Sequence, residues 1–292
     1  MIKKIIMMMS AAVAMVCVQA ATIYTETIDG IEWTYTVTDG EASVGGGNGI
    51  SPAVPRSTSG EITIPSILGG RPVRSISKSA FSNCKSLTGI TIPNSVASIG
   101  ELAFYYCNSL TRLTMGDGVT SIGYNAFAGC ESLFQLHISD ISKWCGIEFD
   151  CFFQCPYNLY LNGSKVTSLA IPYGVKSISK RAFRYCKSLT SVLVPNSVTN
   201  IAEDAFSSCY SLASVDIGDG VKSIRENAFS SCSLLTNVVI GDGVRSIGRS
   251  AFVGCNRLLY DCDTIPGGVL IDGWVIDFEA TFSGDEIGRA HV

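Results

Sequence analysis

Between about Gly60 and Cys262 the apolar positions recur on one fixed period. In the unit AFSNCKSLTGITIPNSVASIGEL, which opens at Ala80, they fall at Phe81, Cys84, Leu87, Ile90, Ile92, Val96 and Ile99. The next unit repeats them at Phe104, Cys107, Leu110, Leu113, Met115, Val119 and Ile122. A repeat of this length with this leucine spacing is the mark of a leucine-rich solenoid, each repeat being one coil. Within a coil, LTGITIP alternates in its second half as a short half-buried strand does. Pro93, or a Gly-Asp-Gly in its place, ends that strand and turns the chain. VASIG predicts a second short extended piece, and the AFxxC segment a helical or 3-10 turn back to the next strand. Equivalent strands of successive coils would pair in parallel. Ordering one coil costs more chain entropy than its own apolar side chains recover, so stability must come from stacking neighbours.

The fold class this predicts is a repeat solenoid of parallel strands joined by short turns, with a small β segment before it. In TIYTETIDGIEWTYTVTDGEASV, Asp-Gly occurs at Asp29 and Asp39, and Ile31, Trp33, Tyr35 and Val37 share one face between them. Asp-Gly favours tight hairpin turns, so residues 21–46 read as a hairpin or meander capping the array, with Trp33 in the cap core. The Gly/Ser/Pro-rich stretch 47–59 reads as a linker. Residues 1–20 carry Lys3 and Lys4, an apolar run and small residues at Ala20 and Ala21, the order of a secretory signal peptide. That run is short for a membrane span, no other span follows, and Cys17 lacks the small residue expected before a lipidated cysteine. Residues 263–286 read as an incomplete C-terminal segment with a strand pair around Asp272-Gly273. Residues 287–292 resemble a translated sequencing adaptor, which would remove His291 from the protein.

One cysteine stands at the same place in each coil: Cys84, Cys107, Cys130, Cys186, Cys209, Cys232 and Cys255. Disulfides suit secreted proteins, but bridging a tightly stacked row demands a specific torsion at each pair. A buried cysteine is small, apolar and a weak donor, so we expect a ladder of free thiols. A metal site needs ligands that converge, which a ladder along an axis does not provide. From Cys130 to Cys186 is 56 residues, one regular coil and one enlarged coil over about 137–170. There Cys145, Cys151 and Cys155 lie close in sequence, and a bridge from Cys145 to one of the other two is the first disulfide to expect.

The wording IPNSVASIGELAFYYCNSL resembles the BspA-like leucine-rich repeats of bacterial surface and secreted proteins, over roughly Gly60 to Cys262. The resemblance implies a right-handed solenoid whose repeats serve protein binding and adhesion rather than catalysis. It fixes no ligand, and no ligand-binding residues are carried over from it.

Composition narrows the function. Charged residues are 16% and hydrophobic residues 47% of 292, with a formal charge of −4 and no Lys/Arg run. Phosphate backbones need a basic stripe, so nucleic acid is excluded as a partner. The two histidines, His137 and His291, come with no GxSxG nucleophile elbow, so no catalytic residues and no cofactor are expected. GDGV recurs at Gly116, Gly218 and Gly241, but one aspartate per coil is few for calcium and Asp-Gly turns need no metal. What remains is the outward strand face. One row runs Gly89, Arg112, Gln135, Ser168, Ser191, Ser214 and Asn237; the other runs Thr91, Thr114, His137, Ala170, Leu193, Asp216 and Val239. Within them Arg112, Thr114, Gln135, His137, Ser191, Ser214, Asp216 and Asn237 form the candidate binding face, a ribbon without the Trp/Tyr/Arg grouping typical of a hot spot. The expected function is a secreted or cell-surface module that binds a protein or surface polymer. The rival is a structural spacer presenting a further C-terminal domain.

Overall fold

The computed structural model describes residues 21–47, 49–150 and 158–258, and the backbone of two further strands, Gly268–Ile271 and Trp274–Asp277. Residues 1–20, Cys151, Cys155, Cys262 and residues 287–292 lie outside the described residues. The chain forms a parallel β-solenoid of about eight coils. Each regular coil contributes one strand to each of two ladders. In the first ladder Gly60–Thr63, Leu87–Thr91, Arg112–Thr114, Gln135–Ile138 and Asn158–Leu161 lie side by side in parallel. The second holds Arg71–Ile76, Ser98–Ile99, Ser121–Ile122 and Glu148–Phe149. Both ladders restart after residue 165. Ser168–Ala170, Ser191–Val194, Ser214–Ile217 and Asn237–Ile240 form one sheet, and Ser177–Ile178, Asn200–Ile201, Ser223–Ile224 and Ser246–Ile247 the other.

The AFxxC segments close the coils as chained turns, not helices. Cys84 N–H donates to Phe81 O and Leu87 N–H to Cys84 O, three residues apart. A residue of positive φ enters twice per coil, as at Leu102 and Tyr106 or Asp204 and Ser208, and stops a helix from propagating. The turns stack through a third set of backbone bonds: Phe81 N–H donates to Ala103 O and Asn83 N–H to Tyr105 O, at 2.7 and 2.8 Å. Among the described residues the one α-helix is Ile141–Cys145, capped by Asp140. No helix among them is long and apolar enough to cross a membrane.

A column of phenylalanines fills the core. Phe81, Phe104 and Phe127 stack nearly parallel at 5.0 and 4.9 Å; Phe183, Phe206, Phe229 and Phe252 do so at 5.2, 5.2 and 5.3 Å. The N-terminal strands Ile23–Ile28, Ile31–Thr38 and Glu41–Val44 form an antiparallel meander. Its Trp33 meets Phe81 edge-on at 6.3 Å and so closes the column. Stretch 47–59 is not a free linker, because Ala53 and Val54 are buried and Ala53 bonds Thr34 and Ala80 through the backbone.

Seven ladder cysteines are free thiols, six of them buried and Cys130 half-buried. The geometry shows what they do. Cys107, Cys130, Cys209, Cys232 and Cys255 each donate S–H to the phenylalanine carbonyl of the preceding coil, at 3.0–3.3 Å. The same carbonyls already accept the N–H of their own coil's cysteine, so the thiol fills a second lone pair that burial would otherwise leave empty. Burial pushes the Cys84 thiol up to about 12. Because the thiolate is the nucleophile, native protein at pH 8 is expected to resist iodoacetamide at Cys84, Cys107, Cys186, Cys209 and Cys232 and to react fully once unfolded in guanidinium. Peptide mapping that finds these five already bridged before reduction would overturn this account. Cys145 is likewise a buried free thiol.

The GDGV turns also stack by hydrogen bonding. Asp219 Oδ1 accepts the N–H of Asp242, and Asn94 Oδ1 that of Asp117, both at 3.0 Å. A Cβ at Gly220 or Gly243 would run into the carbonyl of Asn196 or Asp219 in the coil before. Stacking therefore accounts for both halves of the motif: glycine for close approach and aspartate as the acceptor for the next turn.

Candidate functional site

The strand registers place the outward rows side by side. Gly89, Arg112 and Gln135 are direct neighbours, as are Thr91, Thr114 and His137. In the later sheet Ser168, Ser191, Ser214 and Asn237 align, beside Ala170, Leu193, Asp216 and Val239. The ribbon is not continuous, however. Gln135 pairs with Asn158 and His137 with Tyr160, not with Ser168 and Ala170. The enlarged coil spends its extra residues on a hairpin, Asn158–Leu161 with Ser164–Lys165, turned at Asn162-Gly163, both with positive φ. Ser168 then opens a new sheet, so the candidate face is two patches.

The first patch is a connected cluster. Glu61 crosses over Gly89, where a side chain would collide with it, to reach Arg112 at 3.3 Å. Arg112 Nε donates to Gln135 Oε1 at 3.1 Å, and His137 Nε2 lies 3.4 Å from the same oxygen. His137 stacks on Tyr160 with centroids 4.5 Å apart and planes within 8°. Arg112, His137 and Tyr160 thus gather at the middle of a sheet face, which corrects the expectation that the ribbon lacks such a grouping. Glu61, Asn158 and Tyr160 escaped the period count because they stand on strands at the two ends of the regular array. The signal for Tyr160 was present as NLYLNG, an alternating strand ending in Asn-Gly.

Partial burial, and next the Arg112 charge, lower the pKa of His137 below its usual value, while Glu61 acts the other way. Arg112→Gln removes a like charge and frees Glu61, so both changes raise it. An NMR titration of the ring protons is expected to give a midpoint below 6.5 for the native chain and a higher one for the variant. No upward move would mean that Arg112 does not set the charge state of His137.

The second patch is a shallow depression of about 250 Å³ floored by the serine row. Ser191 Oγ donates to Ser168 Oγ at 2.8 Å. Exposed Leu193 and Val239 flank Asp216. Among the described residues no group of three or more His, Cys, Asp or Glu is placed to hold a metal. The Asn94 and Asp219 side chains are engaged with the next turns, and Asp117 Oδ1 accepts from Ser139 Oγ at 2.6 Å.

Solved structures with similar chains are bacterial leucine-rich repeat proteins. A leucine-rich repeat protein of T. pallidum is 28% identical over 78% of this chain and 88% of its own, with a TM-score of 0.46. A leucine-rich cell surface protein of Faecalibacterium prausnitzii is 21% identical over 82% and 95%, with a TM-score of 0.31. The pneumococcal vaccine antigen PcpA is 15% identical over 82% and 81%, with a TM-score of 0.37. No curated protein matches. The model of the BspA type leucine-rich repeat region matches residues 60–161 and 154–261, in six copies, which is most of the chain and coincides with the coils described above; the chain belongs to that family.

Proposed function

We propose that the chain is a secreted or cell-surface module that binds a protein or surface polymer through the outward face of its first strand ladder, without catalysis. The cluster of Glu61, Arg112, Gln135, His137 and Tyr160 carries this reading. Packing explains the inward residues of every coil, but not a guanidinium, an imidazole and a phenol brought together on a solvent-facing sheet. Arginine and tyrosine dominate the centres of binding interfaces. Family membership agrees with a non-catalytic binding role, and the leader-like N-terminus with export.

The test is capture of surface polymers and extracellular proteins by the purified chain, compared with an Arg112→Ala/Tyr160→Ala double variant. Binding that falls at least ten-fold in the variant, with unchanged melting, is the expected result. Silence across broad panels would favour a spacer instead, and equal capture by the variant would move the site elsewhere.

A further inference from the structure

The N-terminal cap closes only one of the two ladders. Glu41–Val44 of the meander pairs in parallel with Arg71–Ile76 and so covers the edge of that sheet. The other ladder begins at Gly60–Thr63, which among the described residues has one strand partner, Leu87–Thr91. Ile64 N–H donates to Thr91 O at 3.0 Å. Backbone alternation therefore turns the N–H and C=O groups of Glu61 and Thr63 to the opposite side, where no described strand lies. An open strand edge is a template for another chain.

Beside this edge runs a groove of about 470 Å³. Trp33, Ile62 and Ile64 form its floor, and half-buried Ile28 and Ile31 of the first hairpin form its far wall. Two charged residues line it, Asp29 and Glu61, and neither a lysine nor an arginine does. Asp29 sits at the hairpin turn and makes no ion pair with a described residue, while Glu61 shares its charge with half-exposed Arg112. The groove thus offers backbone donors and acceptors along one side, aliphatic surface beside them, and at Asp29 a negative charge with no ion-pair partner among the described residues. A second copy docking edge to edge in the register centred on Glu61 would bring Glu61 against Glu61, which disfavours that pairing.

We infer that the open edge at Gly60–Thr63 is a strand-addition site for an extended segment of a partner protein that carries alternating aliphatic and cationic residues. Main-chain bonds to Glu61 and Thr63 supply affinity, and the groove and the two carboxylates supply selection. This surface adjoins the Arg112 cluster through Glu61 but does not depend on it.

The probes are blocked heptapeptides of alternating Val and Lys, the same with Glu for Lys, and two Val/Lys versions N-methylated on alternate amides, one in each frame. Binding is read by fluorescence anisotropy, and protection of the Glu61 and Thr63 amides by hydrogen exchange. The Val/Lys peptide is expected to bind and to protect both amides. The Glu peptide and one of the two methylated frames are expected to bind at least ten-fold more weakly, while the other methylated frame binds as the parent does. Asp29→Asn should weaken the Val/Lys peptide alone. Thr63→Pro should abolish binding with little change in melting, since it removes an N–H that bonds no described strand and edge strands tolerate proline. If that variant fails to fold, the methylated peptides still decide. Equal binding of both methylated frames, or of the Glu peptide, overturns the proposal. So does amide protection without peptide: if it grows with protein concentration it assigns the edge to a second copy, and if it vanishes when the chain starts at Ala21 it assigns it to residues 1–20.

Discussion

Phe206→Ala is expected to destabilise the chain by about 3–5 kcal/mol, the usual cost of emptying an aromatic site in a core. Phe206 has no exposed surface and lies between Phe183 and Phe229, 5.2 Å from each, with planes within 7° and 2°. Deleting the ring takes two stacking partners at once and interrupts a column that no neighbouring coil can shift to refill. The coil backbone is held to its neighbours on three sides, so collapse into the void is opposed by the ladders themselves. Ser214→Ala, on the outward face of the same coil, should change stability by no more than about 0.5 kcal/mol. For a chain of this size the difference amounts to a fall in Tm of roughly 6–20 °C against almost none. Paired thermal melts by circular dichroism decide it. Equal shifts for the two variants would reverse the inward and outward assignment on which the candidate site depends.

That assignment is the part of the structure most fully readable from the chain. A period-two strand offers two faces, and a solenoid has one inside, so Ile90, Ile92 and their repeats could only point in. The pairing of Gly89 with Arg112 and Gln135, or of Ser191 with Ser214 and Asn237, then follows from the repeat length alone. What could not be read lies wherever the period fails. Tyr160 joins the candidate site only because the enlarged coil sends Asn158–Leu161 back into the first ladder, a choice made by hairpin geometry and not by spacing. Glu61 joins it because residue 89 is a glycine and leaves room for a side chain to cross. The thiol ladder could be recognised as packing, but the carbonyl that each thiol serves is set by the offset between stacked turns, which no single coil reveals. The open edge at Gly60–Thr63 is of the same kind: the cap sequence predicts a meander, and only its docking shows which ladder is left uncovered.

The junction between the two halves carries the second large effect. No strand pairing among the described residues crosses from the sheets ending at Phe149 and Lys165 to those starting at Ser168 and Ser177. In regular coils the N–H of each core phenylalanine donates to the alanine carbonyl of the next, as Phe104 does to Ala126 and Phe183 to Ala205, at 2.7 and 2.8 Å. At the junction Ala182 O instead accepts the indole N–H of Trp144, at 2.7 Å in a buried setting. The short helix Ile141–Cys145 places this side chain edge-on against Phe149 at 5.4 Å, and its Cys145 carbonyl accepts Ser179 N–H at 2.9 Å. A side chain thus takes over the bond that a backbone amide makes elsewhere in the ladder. Trp144→Ala is expected to cost about 3–5 kcal/mol through the lost ring, and it also leaves a buried carbonyl short of its donor. Trp144→Phe keeps most of the ring and should cost about 1–3 kcal/mol, the penalty for stranding that carbonyl. The alanine variant should also melt in two calorimetric transitions where the native chain shows one, as nearest-neighbour stability in a solenoid requires when one interface is weakened. A single transition shifted by less than about 1 kcal/mol would show that the halves are held together by contacts other than Trp144.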